Sequence, residues 1–253
     1  MFTHINNKRQ PQQLAYPKQQ LFFSGKKMST NKEEKENTQP PRLQRTESGL
    51  ILTDGNLSLM ADFVPMAARL KQGVIGTELL VRAARLKKMA CEETPPVLID
   101  ATAGLGEDSI LLAAAGFSVK MYERNPVIAA LLEDAMNRAA EVSELSRIIS
   151  RMELVNADSI EALKNLKEAP AVIYLDPMFP ERKKSALIKK KFQLLHQLEL
   201  PCADEEELLF AAVEAHPHKI VIKRPAAGPY LAGIKADYSL FGRAIRYDCL
   251  IFA

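Results

Sequence analysis

Tryptophan is absent from this 253-residue chain, histidine occurs four times and cysteine three times. So few imidazoles and thiols, with Cys91, Cys202 and Cys249 far apart, supply neither a disulfide framework nor the paired ligand spacing of a zinc site. The cysteines read as reduced and structural, and no metal is expected. No apolar run approaches the roughly 20 residues of a membrane span, and the N-terminus lacks the apolar stretch of a secretory signal. Both absences argue against a membrane partner and for the cytoplasm. A dominant charge is missing as well: 34 Lys and Arg stand against 31 Asp and Glu. Residues 1–48 hold nine of the basic and four of the acidic groups, so the remainder is close to neutral. Nucleic-acid contact by the body of the protein must therefore come from local patches.

The hydrophobic content, 47%, suffices for one sizeable core. Residues 1–48 are rich in Gln, Asn, Lys, Pro and Ser without a sustained apolar period, and are expected to be a disordered polar tail; Met28 offers an alternative start within it. Residues 49–96 read as an N-terminal cap segment. There "LILTDGNLSLMADF" (50–63) alternates around Asp54-Gly55, which predicts a hairpin, and "GTELLVRAARLKKMA" (76–90) has helical spacing. From 97 to 253 strand-like runs at 97–100, 118–123, 153–156, 171–176 and 219–223 alternate with helical stretches, the pattern of a parallel sheet wound on both faces. The acids of "DEEE" from Asp204 are placed to cap a helix. The final "DYSLFGRAIRYDCLIFA" has two strand-like pieces with no room for a helix, so the sheet should close with an antiparallel hairpin. The expected architecture is an α/β doubly wound, Rossmann-like, seven-stranded fold, as in S-adenosylmethionine-dependent methyltransferases.

Within that frame "VLIDATAGLGEDSILLAAAG" (97–116) is a strand, a glycine turn and a helix. Gly104 and Gly106 let the backbone approach a ligand at a helix N-terminus, though an ordinary strand-to-helix turn uses glycine too. Position 109 carries Ser109 where a dinucleotide fingerprint has its third glycine. Asp100 closes the first strand, where a carboxylate organises the loop or meets an ammonium group. Glu123, about 20 residues on, ends the second strand and can accept both hydroxyls of a ribose; the plain alternative is a solvated strand-end charge. Asp158 and Ser159 follow the third strand, either to accept from an adenine amino group or to cap a helix. Three acids thus fall on the carboxyl edge where such sheets bind ligands.

The fourth strand ends in "YLDPMFPER" (174–182). Asp176-Pro177 leaves the sheet as a stiff extended turn. An exocyclic amine on a base is a poor nucleophile because its lone pair is delocalised into the ring. A site that methylates it needs acceptors for its hydrogens, here the Asp176 carboxylate and a main-chain carbonyl near Pro177, with Phe179 as a stacking face. A proline-rich connector whose Phe is core is the bland reading. Arg182, Lys183 and Lys184 open a basic run suited to phosphates or simply to solvent, and Lys223 with Arg224 at the end of the fifth strand either adds to it or caps the sheet.

The blocks "DATAGLGED", "YERNPVIAALLEDA", "YLDPMFPERKKSALIKK" and "KIVIKRP" resemble the RsmJ family, the 16S ribosomal RNA guanine-N2 methyltransferases named for guanine 1516, from about Leu50 to Phe252. The resemblance implies S-adenosyl-L-methionine as cofactor, 16S rRNA or the small ribosomal subunit as partner, and cofactor contacts at Glu107, Asp108, Glu123, Arg124, Asp158, Ser159 and Asp176. The chain departs from the family in carrying Glu107 where Arg is usual and a polar tail in place of a structured N-terminal part. The alternatives are an amino-methyltransferase on adenine in DNA or RNA or on a protein amide, and a non-catalytic RNA-binding relative.

Overall fold

The computed structural model describes residues 40–86, 94–177, 194, 195, 198 and 204–252. Its centre is a seven-stranded sheet built from β4 (Val97–Asp100), β5 (Ser118–Tyr122), β6 (Met152–Val155), β7 (Val172–Leu175), β8 (Lys219–Pro225), β9 (Tyr238–Phe241) and β10 (Ile245–Ile251). The order is β6-β5-β4-β7-β8-β10-β9. The first five strands in that order run parallel, and β10 lies antiparallel between β8 and β9. The order reverses between β4 and β7, the switch point at which open α/β sheets leave a crevice beyond the carboxyl ends of their strands.

Side chains alternate between two cores, as the twofold period of a strand requires. Leu98, Val119, Val172, Tyr174 and Val221 face one core, shared with α2 (Leu79–Ala84), α3 (Glu107–Ala114), α4 (Pro126–Ala140) and α5 (Ser143–Ile149). Ile99, Ile173, Leu175, Ile220 and Ile222 face the other, covered by α6 (Ser159–Lys164) and α7 (Glu205–Glu214). None of the helices among the described residues is long and apolar enough to cross a membrane.

Ahead of this body lies a small antiparallel sheet of β1 (Arg42–Thr46), β2 (Gly49–Thr53) and β3 (Ser58–Leu59), followed by the four-residue α1 (Gln72–Ile75). The hairpin expected around Asp54-Gly55 is β2–β3; the Asp54 carboxylate accepts from the amides of Asn56 and Leu57 at 2.8 and 2.7 Å and so closes the turn. Strand β1 corrects the expected boundary, because Arg42–Thr46 belongs to the sheet and not to a polar tail ending at 48. Its polar composition hid it: β1 is an edge strand with four of its five side chains exposed. The anchor is Asp134 of α4, only 7% exposed, which accepts from the Leu50 amide at 3.0 Å and pairs with Arg45 and Arg138.

Two helix expectations also change. Of the helical spacing over 76–90, the described residues form a helix at Leu79–Ala84 and turn extended at Arg85 (ψ 132°); residues 87–90 lie outside the described residues. Asp204 precedes α7 as expected but makes no capping hydrogen bond through its side chain; Glu205, Glu206 and Glu207 supply the negative charge to the first turn.

Candidate functional site

A cavity of about 620 Å³ opens at the carboxyl ends of β4, β5 and β7. Asp100, Gly104, Glu107, Asp108, Glu123, Arg124, Asp158, Ser159, Asp176 and Pro177 all line it, and Leu195, Leu198, Leu208 and Tyr122 give it an apolar wall. The sheet thus gathers residues spread over nearly 80 positions of sequence. Gly106 is the exception among the residues expected here. With φ at +75° it starts α3, and a Cβ there would lie 2.6 Å from Leu132 Cδ1 and 3.1 Å from Phe63 Cζ. Its missing side chain serves packing under the loop, not approach to a ligand.

Gly104 has the opposite surroundings. Its φ is +53°, and a Cβ would meet nothing nearer than the Thr102 carbonyl at 4.0 Å, so its backbone faces open cavity. The Gly104 amide donates to Glu123 Oε2 at 3.0 Å, and the Asn125 amide donates to Oε1 at 2.7 Å. Each Glu123 oxygen therefore keeps further lone-pair capacity towards the cavity. Burial raises the Glu123 pKa, opposed by the amides of Asn125 and Gly104.

Asp100 is 1% exposed and takes the loop-organising role. It accepts from the Thr102 amide at 3.0 Å and the Ser109 hydroxyl at 2.5 Å. Burial pushes its pKa up to about 7, against the pull of those hydrogen bonds, with Asp108 and Asp176 adding like charge. Asp158 realises the helix-cap reading while lining the cavity, since it accepts from the Ile160 amide at 2.8 Å at the start of α6.

Across the loop, the Asp176 amide donates to Thr102 Oγ1 at 2.7 Å. Lys223 stands between two carboxylates, with Nζ 2.7 Å from Asp108 Oδ2 and 2.8 Å from Asp176 Oδ2. The Tyr174 hydroxyl donates to the same Asp108 oxygen at 2.6 Å. Burial alone would lower the Lys223 pKa, but Asp176 and Asp108 outweigh it and hold the ammonium well above the usual lysine range. Burial raises the Asp176 pKa, Lys223 lowers it and Asp108 raises it.

Lys223 and Arg224, expected either to touch RNA or to cap the sheet, both make contacts within the protein. Lys223 belongs to the cavity floor. Arg224 is 2% exposed; its Nε donates to the Pro229 carbonyl at 2.9 Å, and Nη1 lies 3.7 Å from Glu205. It holds the turn after β8. Phe179, Arg182, Lys183 and Lys184 lie outside the described residues. Sequence reasoning missed Thr102 and Tyr174. Strand parity is the signal that carried Tyr174 and Lys223, because Tyr174 pairs with Val221 and both side chains face α3. Two residues on, the same parity turns Asp176 and Lys223 to Asp108.

Comparison with known proteins agrees with this arrangement. A family model described as "Putative SAM-dependent methyltransferase" matches residues 27–252. The chain is 39% identical to ribosomal RNA small subunit methyltransferase J of Nitrosococcus oceani over 224 residues, 83% of this chain and 87% of that one. It is 46% identical to the protein of that name from Stutzerimonas stutzeri over 154 residues, 60% of each chain. A crystal structure of a SAM-dependent methyltransferase from Neisseria gonorrhoeae superposes with a TM-score of 0.67 at 29% identity, covering 88% of this chain and 86% of that one. The glycine loop open to the cavity, the strand-end Glu123 and the apolar wall fit S-adenosylmethionine, and the chain belongs to the family of S-adenosylmethionine-dependent methyltransferases that includes ribosomal RNA small subunit methyltransferase J.

Proposed function

We infer that this chain methylates the exocyclic N2 of a guanine in small-subunit ribosomal RNA, the guanine for which the resembled family is named, and does so in the cytoplasm on rRNA or the assembled small subunit. One observation carries the reading: Asp176, followed by Pro177, presents a carboxylate to the same cavity that holds Glu123 and the glycine loop.

In this reading Glu123 accepts the ribose hydroxyls, the Gly104 loop lies along the amino-acid end, and Asp158 with Ser159 faces the adenine. S-adenosylmethionine held there would supply an electrophilic methyl group on a sulfonium, with the neutral thioether as leaving group. The protein's part is orientation. Asp176 has one oxygen committed to Lys223 and the other free to accept from the amine, which turns the nitrogen lone pair towards the methyl group and provides for the proton it sheds. Phe179 is the proposed stacking face for the extruded base, and Arg182, Lys183 and Lys184 are the proposed phosphate contacts.

The experiment is transfer of isotopically labelled methyl from the cofactor to small-subunit rRNA, followed by nucleoside mass analysis. N2-methylguanosine is expected. N6-methyladenosine or labelled protein would replace the guanine assignment, and no transfer to any substrate would leave a binding protein.

A further inference from the structure

Resting on the methyl-transfer reading above, we propose that Lys223 is a positioning residue: it fixes Asp176 as a charged acceptor with one oxygen free, and ties it to the loop that holds the cofactor.

The geometry begins in the register. β7 and β8 are parallel neighbours with Leu175 opposite Ile222, so Asp176 and Lys223 stand abreast at the cavity end. Neither side chain is free to swing. The Asp176 amide is held by Thr102, its ring-locked successor is Pro177, and its Oδ2 faces Lys223 Nζ. The ammonium in turn is held by Asp108, in the first turn of α3 directly after the glycine loop. Asp108 is itself fixed by the hydroxyl of Tyr174, which is buried. The side chains of Lys223, Asp108 and Asp176 are 24%, 23% and 34% exposed, all towards the cavity they line.

Charge explains why a lysine is needed. The charges that act on Asp176 are those of Lys223 and, more remotely, Arg224 on β8, Asp108 on α3 and Asp100 on β4, with the hydroxyls of Tyr174 and Tyr247 on β7 and β10 in the same corner. Three carboxylates crowd one partly buried corner, and like charges there favour protonation. A proton on the free oxygen of Asp176 would turn an acceptor into a donor facing the amine. Lys223, the cation within 3 Å of two of the three acids, prevents this. It also makes the acceptor's position depend on Asp108, hence on the cofactor loop.

Two substitutions move Asp176 in opposite directions. Lys223→Met removes the cation, so the Asp176 pKa rises by about 1–3 units, the range for loss of an adjacent opposite charge. Asp108→Asn, nearly isosteric, removes a like charge and lowers it. Carbon-13 titration of labelled aspartate carboxyls, with Asp176 assigned by its loss in Asp176→Asn, reads both directly without RNA. The acid limb of the single-turnover methylation rate should move up in Lys223→Met and down in Asp108→Asn, with Lys223→Arg close to wild type. A merely structural lysine would lower the rate at every pH and leave the limb and the carboxyl titration in place, which would overturn the proposal. Should Lys223→Met not fold, an unmoved titration in Asp108→Asn would overturn it alone. Expected titrations with no methyl transfer by wild type would instead sink the substrate reading and keep the clamp.

Discussion

The Gly104 amide lies 3.0 Å from Glu123 Oε2, so the ends of the first and second parallel strands are joined by a hydrogen bond across the mouth of the cavity. Any loss of the carboxylate unties the loop as well as the ribose it is proposed to hold. Glu123→Ala should therefore weaken S-adenosylmethionine binding by about 1.5 to 3 kcal/mol, the range for hydrogen bonds to a charged group. Calorimetric titration is the measurement, and wild-type affinity in the variant would leave the ribose without its proposed partner.

The two glycines of the loop should separate in their effects. Alanine at 104 meets only the cost of the left-handed backbone, about 1–2 kcal/mol, and places a methyl in the cavity; cofactor affinity should fall more than stability. Alanine at 106 adds a collision with Leu132 and Phe63 to the same backbone cost. Denaturant melts should show Gly106→Ala as the less stable variant, and equal melts would contradict the packing role given to Gly106.

Asp176→Ala should leave cofactor affinity within a few-fold yet lower single-turnover methylation by on the order of a hundredfold, because it removes orientation and not ground-state cofactor contact. Unchanged turnover would remove Asp176 from the mechanism.

Asp100 gives a stability test with a defined sign. Its native pKa, about 7, lies above the ordinary 3.8, so the native state favours the protonated form. The resulting stabilisation is full below about pH 4, declines as pH rises and is gone above about 7. Relative to Asp100→Asn, which keeps a carbonyl for the Thr102 amide, wild-type melting temperature should fall between pH 4 and 7 and run parallel above it. A constant difference across that window would refute the buried, proton-holding carboxyl.

Much of this site is legible in the sequence because strand ends are marked twice, by an apolar run stopping and by an acid following it. Asp100, Glu123, Asp158 and Asp176 are all found this way, and the sheet brings them to one cavity. What escapes is anything set by register between strands distant in sequence. Lys223 beside Arg224 looks like a basic patch on a line of text. Only the pairing of β7 with β8 shows that one faces two carboxylates and the other is buried against a turn. Gly106 misleads for a similar reason, since Leu132 and Phe63 approach it from α4 and from the segment after β3. Strand β1 is missed because an edge strand with an exposed face needs no apolar alternation to form.

Strand β8 has hydrogen-bonded neighbours on both sides, and its first four residues are buried. Amide protons in such a strand exchange with deuterium only when the whole domain opens. Lys223 thus rises from the slowest-exchanging part of the molecule, whereas the amides of Thr102, Ala103, Gly104 and Gly106 are held in a turn outside the sheet ladder, by Asp100, Tyr122, Glu123 and Ala103, and should exchange earlier than those of β8. Adding S-adenosylmethionine should slow the turn by ordering it and slow β8 only by as much as it raises global stability. The cavity has one wall that is present before any ligand arrives and one that the ligand finishes.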